Sequence, residues 1–292
     1  MDFTKVFCDV DDFIKTRLQS QAQCLPLGKP RRGPVGRLAL SEILTILIGY
    51  HQSSYRHFKA YYLYLIFEGK MFPTLVSYNR FVELIPYAWM PLMVYIESRK
   101  GICTGISYID STSIAVCKNI RIPRNKVFAN FAKRGKSTTG WFFGFKLHLI
   151  VNEIGDILAY HVTQGNKHDA SVVEKMCGPI FGKLFGDKGY IGQRLVENLR
   201  NKNIALITNL KSNMKNKLIP LMDKILLRKR FIIETIHDQL KNISDLEHSR
   251  HRSPINFCVN LLCALIAYTF QPKKPAIKFN YTSTLIPDLL LA

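Results

Sequence analysis

The stretch Ser107-Tyr-Ile-Asp-Ser-Thr-Ser-Ile-Ala-Val116 decides the fold of this chain. It alternates between apolar and polar side chains and is rich in β-branched residues, which predicts a β-strand. Aspartate is disfavoured inside strands, because its short polar side chain competes for backbone hydrogen bonds. Asp110 nevertheless lies in the middle of this run. Taken alone, it is explained as well by a turn or a strand edge as by a function.

After this strand the sequence predicts a succession of further strands and helices. Residues 144–151 and 156–163 predict two strands joined by a turn at 152–155, as in a β-hairpin. Periodicity then predicts, in chain order, a helix over 169–176 with Asp169 as its N-cap, a strand over 183–185, a helix over 193–201, a strand over 204–210 and a helix over 226–243. This order predicts an α/β fold, an α+β mixed sheet with helices on its faces.

Residues 1–100 are predicted to be helical. Ser41 is predicted to cap a helix that begins near Glu42, and the run 43–48 is apolar almost all round, so this helix is expected to be buried. A shorter helix is predicted to begin at Ser77. Two interpretations of this region remain open: a DNA-binding module resembling a helix-turn-helix, and a helical cap on the core.

The net charge of the 292-residue chain is +20, with a pI of about 9.7. The excess of Lys and Arg over Asp and Glu is +5 in residues 1–100, +7 in 101–200 and +8 in 201–292, so the positive charge is not confined to a tail. A basic surface spread along a folded protein suits a long polyanion. We therefore expect a nucleic acid as partner; a protein that is merely soluble and basic is the alternative.

The cysteine spacing excludes two classes of small stabilised domain. Seven cysteines are scattered without a Cys-x-x-Cys pair, so neither a zinc ribbon nor a disulfide framework is expected. The N-terminus lacks a signal-peptide pattern, and the most apolar run, 257–270, is short for a membrane crossing. We expect a cytoplasmic, nucleoid-associated protein with no membrane partner.

A second acid, Asp187, follows the short predicted strand at 183–185. Loops at the carboxyl ends of strands are where α/β sheets bind their ligands. Gly186 and Gly189 flank the acid and allow a close approach of the backbone. A plain turn that ends a strand is the alternative interpretation.

A third acid, Glu234, lies on an amphipathic helical stretch. One face of this stretch is apolar and consists of Ile233, Ile236, Leu240 and Ile243. The adjacent face is polar, within about 60°, and consists of Arg230, Glu234, His237 and Lys241. Alone, this polar face is explained by solvent exposure with weak i,i+4 ion pairs.

The three acids together indicate metal-assisted phosphodiester chemistry. Carboxylate oxygens are hard ligands that suit Mg²⁺ or Mn²⁺. Two such ions about 4 Å apart can assist an in-line displacement at phosphorus. Nearby cations are predicted to hold the scissile strand, namely Lys188, Arg230 and Lys241.

Residues 118–136 form a basic segment between the first strand and the hairpin, and they contain no acid. Its seven cations are Lys118, Arg121, Arg124, Lys126, Lys133, Arg134 and Lys136. We expect this segment to follow DNA phosphates beside the active site; a merely solvated loop is the alternative.

Longer segments between residue 7 and about residue 275 match one family of proteins. Among them are Phe181-Gly-Lys-Leu-Phe-Gly-Asp-Lys-Gly-Tyr-Ile191, Leu226-Leu-Arg-Lys-Arg230, Ile233-Glu-Thr-Ile236 and Asp238-Gln-Leu-Lys-Asn-Ile243. On these segments the chain resembles bacterial insertion-sequence transposases with an Asp-Asp-Glu triad, and the insertion-sequence 982 group in particular. Many related transposases carry Tyr-x₂-Arg-x₃-Glu-x₆-Lys around the glutamate. Arg230, Glu234 and Lys241 fit this signature, whereas Leu227 stands at the tyrosine position.

The resemblance implies a division of the chain and a chemistry. The parts are a helical region over 1–100, an RNase H-like catalytic domain over 101–275 with a basic insertion at 118–140, and a tail over 276–292. The implied metal-binding catalytic triad is Asp110, Asp187 and Glu234, with two Mg²⁺ ions, or Mn²⁺, as cofactor. The implied partner is double-stranded DNA, both the terminal inverted repeats of the element and the target, bound by a homodimer on paired ends. The alternatives are a nuclease of the same fold that only hydrolyses DNA and an inactive DNA-binding relic.

Overall fold

The computed structural model describes residues 2–18, 37–69, 71–138, 140–209, 219–247 and 251–278. Within these residues, six strands form one sheet: β1 (Ile106–Cys117), β2 (Lys133–Ser137), β3 (Gly140–Asn152), β4 (Ile157–Gln164), β5 (Gly182–Gly186) and β6 (Ile204–Thr208). The tail from 279 onward and the predicted strand end at 210 lie outside the described residues.

The sheet is mixed. β3 pairs antiparallel with β1, β2 and β4, whereas β1 pairs parallel with β5, and β5 parallel with β6. The strand order is β2-β3-β1-β5-β6, and β4, like β2, pairs with β3. This confirms the predicted α+β mixed sheet and is compatible with an RNase H-like core.

Along the chain, helices both precede the first strand and follow it. Before it come α1 (Phe3–Phe13) with a π-helical extension (Ile14–Leu18), α2 (Leu40–Tyr50), α3 (Phe58–Phe67), α4 (Tyr78–Leu84), a 3₁₀ turn (Ile85–Ala88) and α5 (Trp89–Ser98). After β1 come 3₁₀ turns (Asn119–Arg124, Asp169–Val172, Lys188–Tyr190) and helices α6 (Val173–Met176), α7 (Gln193–Arg200), α8 (Leu221–Arg228), α9 (Phe231–Asn242) and α10 (Pro254–Thr269).

The strand that carries Asp110 and the hairpin that follows it are as predicted. β1 extends one residue beyond each end of the predicted range. At the hairpin turn, Asn152 Oδ1 accepts the Asp156 amide at 2.8 Å, and Gly155 takes a φ of +80°. A side chain at this φ is strained, so the turn requires glycine.

Two predictions about helix caps are wrong. Ala39, not Ser41, is the N-cap of α2, and the Glu42 carboxylate accepts the Ala39 amide at 2.7 Å. His168, not Asp169, caps the 3₁₀ turn after β4. The free amides at these two helix starts are therefore bonded to the Glu42 carboxylate and the His168 ring, and not to the side chains of Ser41 and Asp169.

The helix predicted over 226–243 is two helices, which break at Lys229 and Arg230. α8 packs on β5 and β6, whereas α9 packs on β1. One straight helix cannot bury its apolar side chains against both parts of the sheet, so tertiary packing overrides the helical propensity here. Ile243, which was assigned to the apolar stripe, is exposed, whereas Ile232 is buried.

The two faces of the sheet bury separate apolar clusters. Ile109, Ile150 and Leu184 pack under α6 and α7, whereas Tyr108 and Phe185 belong to the larger cluster on the opposite face. That larger cluster also contains the apolar side chains of α1–α5, α9 and α10. The N-terminal helices and the sheet therefore share one core. No helix in the described part of the chain combines the length and apolarity that a membrane crossing requires.

Leu265→Ala tests the shared core. The side chain is fully buried in α10, so the substitution is expected to lower the free energy of unfolding by about 2–5 kcal/mol. Leu221→Ala is the matched control, because Leu221 is 73% exposed, and its effect is expected to stay within about 0.5 kcal/mol. Urea unfolding followed by circular dichroism measures both; similar losses in the two variants would contradict the shared core.

Candidate active site

Asp110 lies in the middle of β1, the strand between β3 and β5. It pairs with Leu149 of β3, and its side chain is 20% exposed. Asp110 Oδ2 lies 3.4 Å from Arg230 Nη1 and 3.8 Å from His237 Nδ1. The carboxylate is therefore enclosed between the sheet and the start of α9.

Asp187 lies next to Asp110 because of the strand register. β1 and β5 are parallel with Tyr108 opposite Phe185, so each acid comes two residues after a paired position on adjacent strands. Asp187 itself caps the 3₁₀ turn after β5 and is exposed. A β-carbon on Gly186 would lie 3.1 Å from the side chains of both Ile109 and Tyr190, which explains a glycine immediately before the acid.

Glu234 enters the site from the first turn of α9. Arg230 Nη2 lies 2.5 Å from Glu234 Oε1, while the same guanidinium faces Asp110. Arg230 is 18% exposed and Glu234 is 54% exposed. The break between α8 and α9 thus directs one arginine between two of the three predicted acids.

The charges of the three acids act on one another. Burial raises the pKa of Asp110 to about 6, the Arg230 guanidinium opposes this shift, and the carboxylates of Glu234 and Asp187 add to it. Like charges disfavour ionisation of a neighbouring carboxylate only within a short range. The structure therefore brings Asp110, Asp187 and Glu234 into one region.

A buried polar layer lies beside Asp110. His237 is neutral, because burial lowers its pKa to about 3, and burial likewise lowers the pKa of His148 to about 4. His148 Nε2 lies 2.9 Å from Thr163 Oγ1. The described residues offer no hydrogen-bond partner to His237 Nε2, His148 Nδ1 or the Tyr190 hydroxyl. Burial raises the pKa of Tyr190, and the charge of Asp110 raises it further.

The acids fit a divalent cation by donor type, but their side chains are not drawn together around one point. Three carboxylates provide the hard oxygens that Mg²⁺ and Mn²⁺ prefer. Burial and repulsion by the other two carboxylates disfavour the charged form of Asp110, and the positive charge of Arg230 offsets part of this effect. Across the ranges described above, no three Asp, Glu, His or Cys side chains are grouped closely enough to hold a metal ion. Glu234 instead extends toward Arg230.

The predicted DNA-contacting cations fall into two groups. Lys241 is paired with a carboxylate: it lies 3.1 Å from Glu247 Oε2, and Glu247 Oε1 accepts the Ala115 amide of β1 at 3.1 Å. Lys188 and the seven cations of the basic segment are all exposed, and none of them pairs with a carboxylate in the part of the chain that the structure describes. The basic segment is also not a plain loop, because β2 occupies its end.

Two residues of the region have contacts that sequence reasoning missed. Helical spacing placed His237 on the polar face, but not its burial or its approach to Asp110. Glu247 was not singled out, since it lies beyond the end of α9 from Lys241 and its other contact is to β1, which is distant in the chain. Asp169, singled out as a cap, instead pairs with Lys146 at 2.9 Å.

Comparison with known protein families gives a match over the part of the chain that contains these acids. A family model described as a transposase DDE domain matches residues 100–254, which is more than half of the 292-residue chain. Asp110, Asp187 and Glu234 all lie within the matched residues. No curated protein matches the chain.

Asp110→Asn tests the burial of this carboxylate. A pKa raised from 3.8 to about 6 means that the folded protein binds the proton more tightly than the unfolded chain does. The contribution of Asp110 to stability is therefore lost as the pH rises through the window from about 4 to 6. Relative to wild type, the variant is expected to gain about 2 kcal/mol of stability between pH 4 and pH 8. Urea unfolding of both proteins in EDTA at several pH values measures the difference in free energy of unfolding. A difference that does not change with pH would show that burial does not raise the pKa of Asp110.

Proposed function

The chain belongs to the family of proteins with a transposase DDE domain, and from this premise we propose that it cuts DNA at the ends of a mobile element and transfers them into target DNA. The observation that carries the proposal is the placement of the three acids in one region: the strand register sets Asp187 beside Asp110, and Arg230 contacts both Asp110 and Glu234. We propose, on the resemblance of the sequence, that the element belongs to the insertion-sequence 982 group. Two paired ends are bound by a homodimer.

We propose that the three acids hold the divalent metal ions, two Mg²⁺ or Mn²⁺, that this family generally uses. When bound, such ions lower the pKa of an attacking water or hydroxyl group and offset charge on the phosphate. The contribution of the chain is to fix the acids: Asp110 on the central strand β1, Asp187 at the end of the neighbouring strand β5, and Glu234 on α9, which packs on β1.

Two successive in-line displacements at phosphorus account for the reaction. Water first hydrolyses a phosphodiester at the element end and frees a 3′-hydroxyl. That hydroxyl then attacks a phosphodiester of the target, and the target 3′-oxygen leaves. No covalent bond between protein and DNA is needed, so the mechanism requires no serine or tyrosine nucleophile. Arg230, beside Asp110 and Glu234, is placed to contact the phosphate at which these exchanges occur.

The basic segment supports DNA as the substrate. Its seven cations are exposed and unpaired within the described residues, so their charge is not neutralised locally. A polyanion that binds them releases its counterions, which is the main source of salt-dependent affinity for DNA. Lys188, exposed directly after Asp187, adds a second positive group next to the acids.

Asp187→Asn and Glu234→Gln are expected to bind labelled element ends with the affinity of wild type while losing cleavage and strand transfer by at least about 100-fold, because metal holding requires carboxylate oxygens. Gel shift and strand-transfer assays with Mg²⁺ or Mn²⁺ measure both steps. Glu197→Gln, an exposed glutamate of α7, is the control and is expected to be fully active. Wild-type rates in the two site variants would end the proposal. If the wild type cleaved DNA without strand transfer, it would be a nuclease of the same fold. If it only bound DNA, it would be an inactive DNA-binding relic.

Replacing Lys133, Arg134 and Lys136 with glutamine tests the basic segment. The slope of log K against log salt for duplex DNA is expected to fall by up to about 2.7, since each phosphate contact contributes about 0.9. The control replaces Lys15, Lys100 and Lys274, each already 2.6 Å from a carboxylate. An unchanged slope in the first variant would show that the segment does not contact phosphates.

A further inference from the structure

Large apolar side chains are exposed among the cations of the basic segment and at the start of β3. Trp141 is 59% exposed, Phe131 is 54% exposed and Ile120 is 86% exposed. Exposed apolar groups that cluster on a protein surface mark interaction sites more often than isolated ones do. In the sequence these three side chains lie among exposed cations that have no carboxylate partner within the described residues, and at Trp141 the structure places one of them, Lys136, over the ring.

The β2–β3 hairpin that carries Trp141 is firmly anchored. Phe128 is buried, and its ring packs edge-on against Phe145 at 6.0 Å and Phe257 at 5.5 Å. A β-carbon on Gly135 would lie 2.2 Å from the Gly165 carbonyl oxygen, so β2 lies directly on that backbone. The backbone of β2 is therefore held against the rest of the protein.

The strand register places cations beside the exposed ring. Lys136 pairs with Trp141 across the two strands, so both side chains lie on the same face. Lys136 Nζ lies 6.0 Å from the centroid of the indole. Arg134, two residues earlier on β2, points to this face as well. The result is an exposed indole that has the Lys136 ammonium over one face and Arg134 on the same side of the hairpin.

We propose that Trp141 stacks on an unpaired base of DNA while Lys136 and Arg134 contact the adjoining phosphates, which makes the hairpin a binding site for single-stranded DNA. Proteins bind single strands without strong sequence preference through aromatic platforms within a positive groove. Inside a duplex the faces of each base are covered by its neighbours, so stacking requires a base that has left the helix. The inference rests on the proposed function, because it takes DNA as the substrate.

The proposed stacking site is separate from the acids. Asp110 pairs with Leu149, and Trp141 lies eight residues earlier on the same strand. At about 3.3 Å per residue the two positions are roughly 26 Å apart along β3. Changes at Trp141 therefore leave the carboxylates and the buried layer beside Asp110 intact.

Tryptophan fluorescence provides a direct test. The chain contains two tryptophans, so Trp89→Phe leaves Trp141 as the sole emitter. In EDTA, an oligo(dT) 12-mer is expected to quench this emission, whereas a 12-base-pair duplex is not. Trp141→Ala is expected to weaken oligo(dT) binding by about 5- to 100-fold and to leave duplex binding and the salt slope for oligo(dT) unchanged. Trp141→Phe, which keeps a ring, is expected to restore most of the affinity. Phe67→Ala removes an exposed aromatic far from the hairpin in sequence and serves as the control.

Each contrary result overturns the inference. Absence of quenching by oligo(dT) shows that the indole meets no base. Equal weakening of single-strand and duplex binding in Trp141→Ala shows a contact that does not depend on unpaired bases. Because binding is measured in EDTA, the outcome is independent of catalysis. A protein that transfers strands but shows no quenching loses only the stacking site, whereas one that is quenched but inactive with metal loses the proposed function.

Discussion

The burial of the Asp110 carboxylate in the central strand is the constraint on which the site depends. β1 lies between β3 and β5, so a charge in its middle is removed from water, and burial raises its pKa to about 6. Arg230 offsets this penalty and also meets Glu234. The guanidinium reaches that position because the chain breaks between α8 and α9, where helix packing changes from β5 and β6 to β1. Both the strand order of the sheet and the break between α8 and α9 are therefore required to bring Arg230 to Asp110.

The remaining architecture holds this arrangement in place through α10. Its apolar side chains pack in the same cluster as the N-terminal helices and α9, and the Tyr268 hydroxyl donates to the Gly155 carbonyl at 2.7 Å. From the other side, His51 at the end of α2 donates through Nδ1 to the Ser244 carbonyl, 2.6 Å away, just after α9. α10 thus contacts the hairpin turn, and the N-terminal helical region contacts the chain just after the helix that carries Glu234.

The sequence revealed the elements that carry the acids but not how those elements meet. Alternation and β-branched residues located β1, and helical periodicity located α9, because both patterns are local. The register that sets Tyr108 opposite Phe185 joins strands far apart in the chain, so no local pattern encodes it. The break before α9 contains neither Gly nor Pro and follows from packing alone. Likewise β2, Lys133-Arg-Gly-Lys-Ser137, lacks strand propensity and forms because β3 offers it an edge.

The distribution of paired and unpaired cations addresses an electrostatic conflict. Three carboxylates repel a polyanion, so DNA must be attracted strongly enough elsewhere to approach them. Arg230 pairs with the acids themselves and reduces their repulsion, and Lys241 is neutralised by Glu247. The cations of the basic segment have no such partners among the described residues, so their field extends into solvent. In the function that we propose, attraction at the hairpin and reduced repulsion at the acids act in sequence: the first sets where DNA would bind, and the second would allow a phosphate to reach the carboxylates.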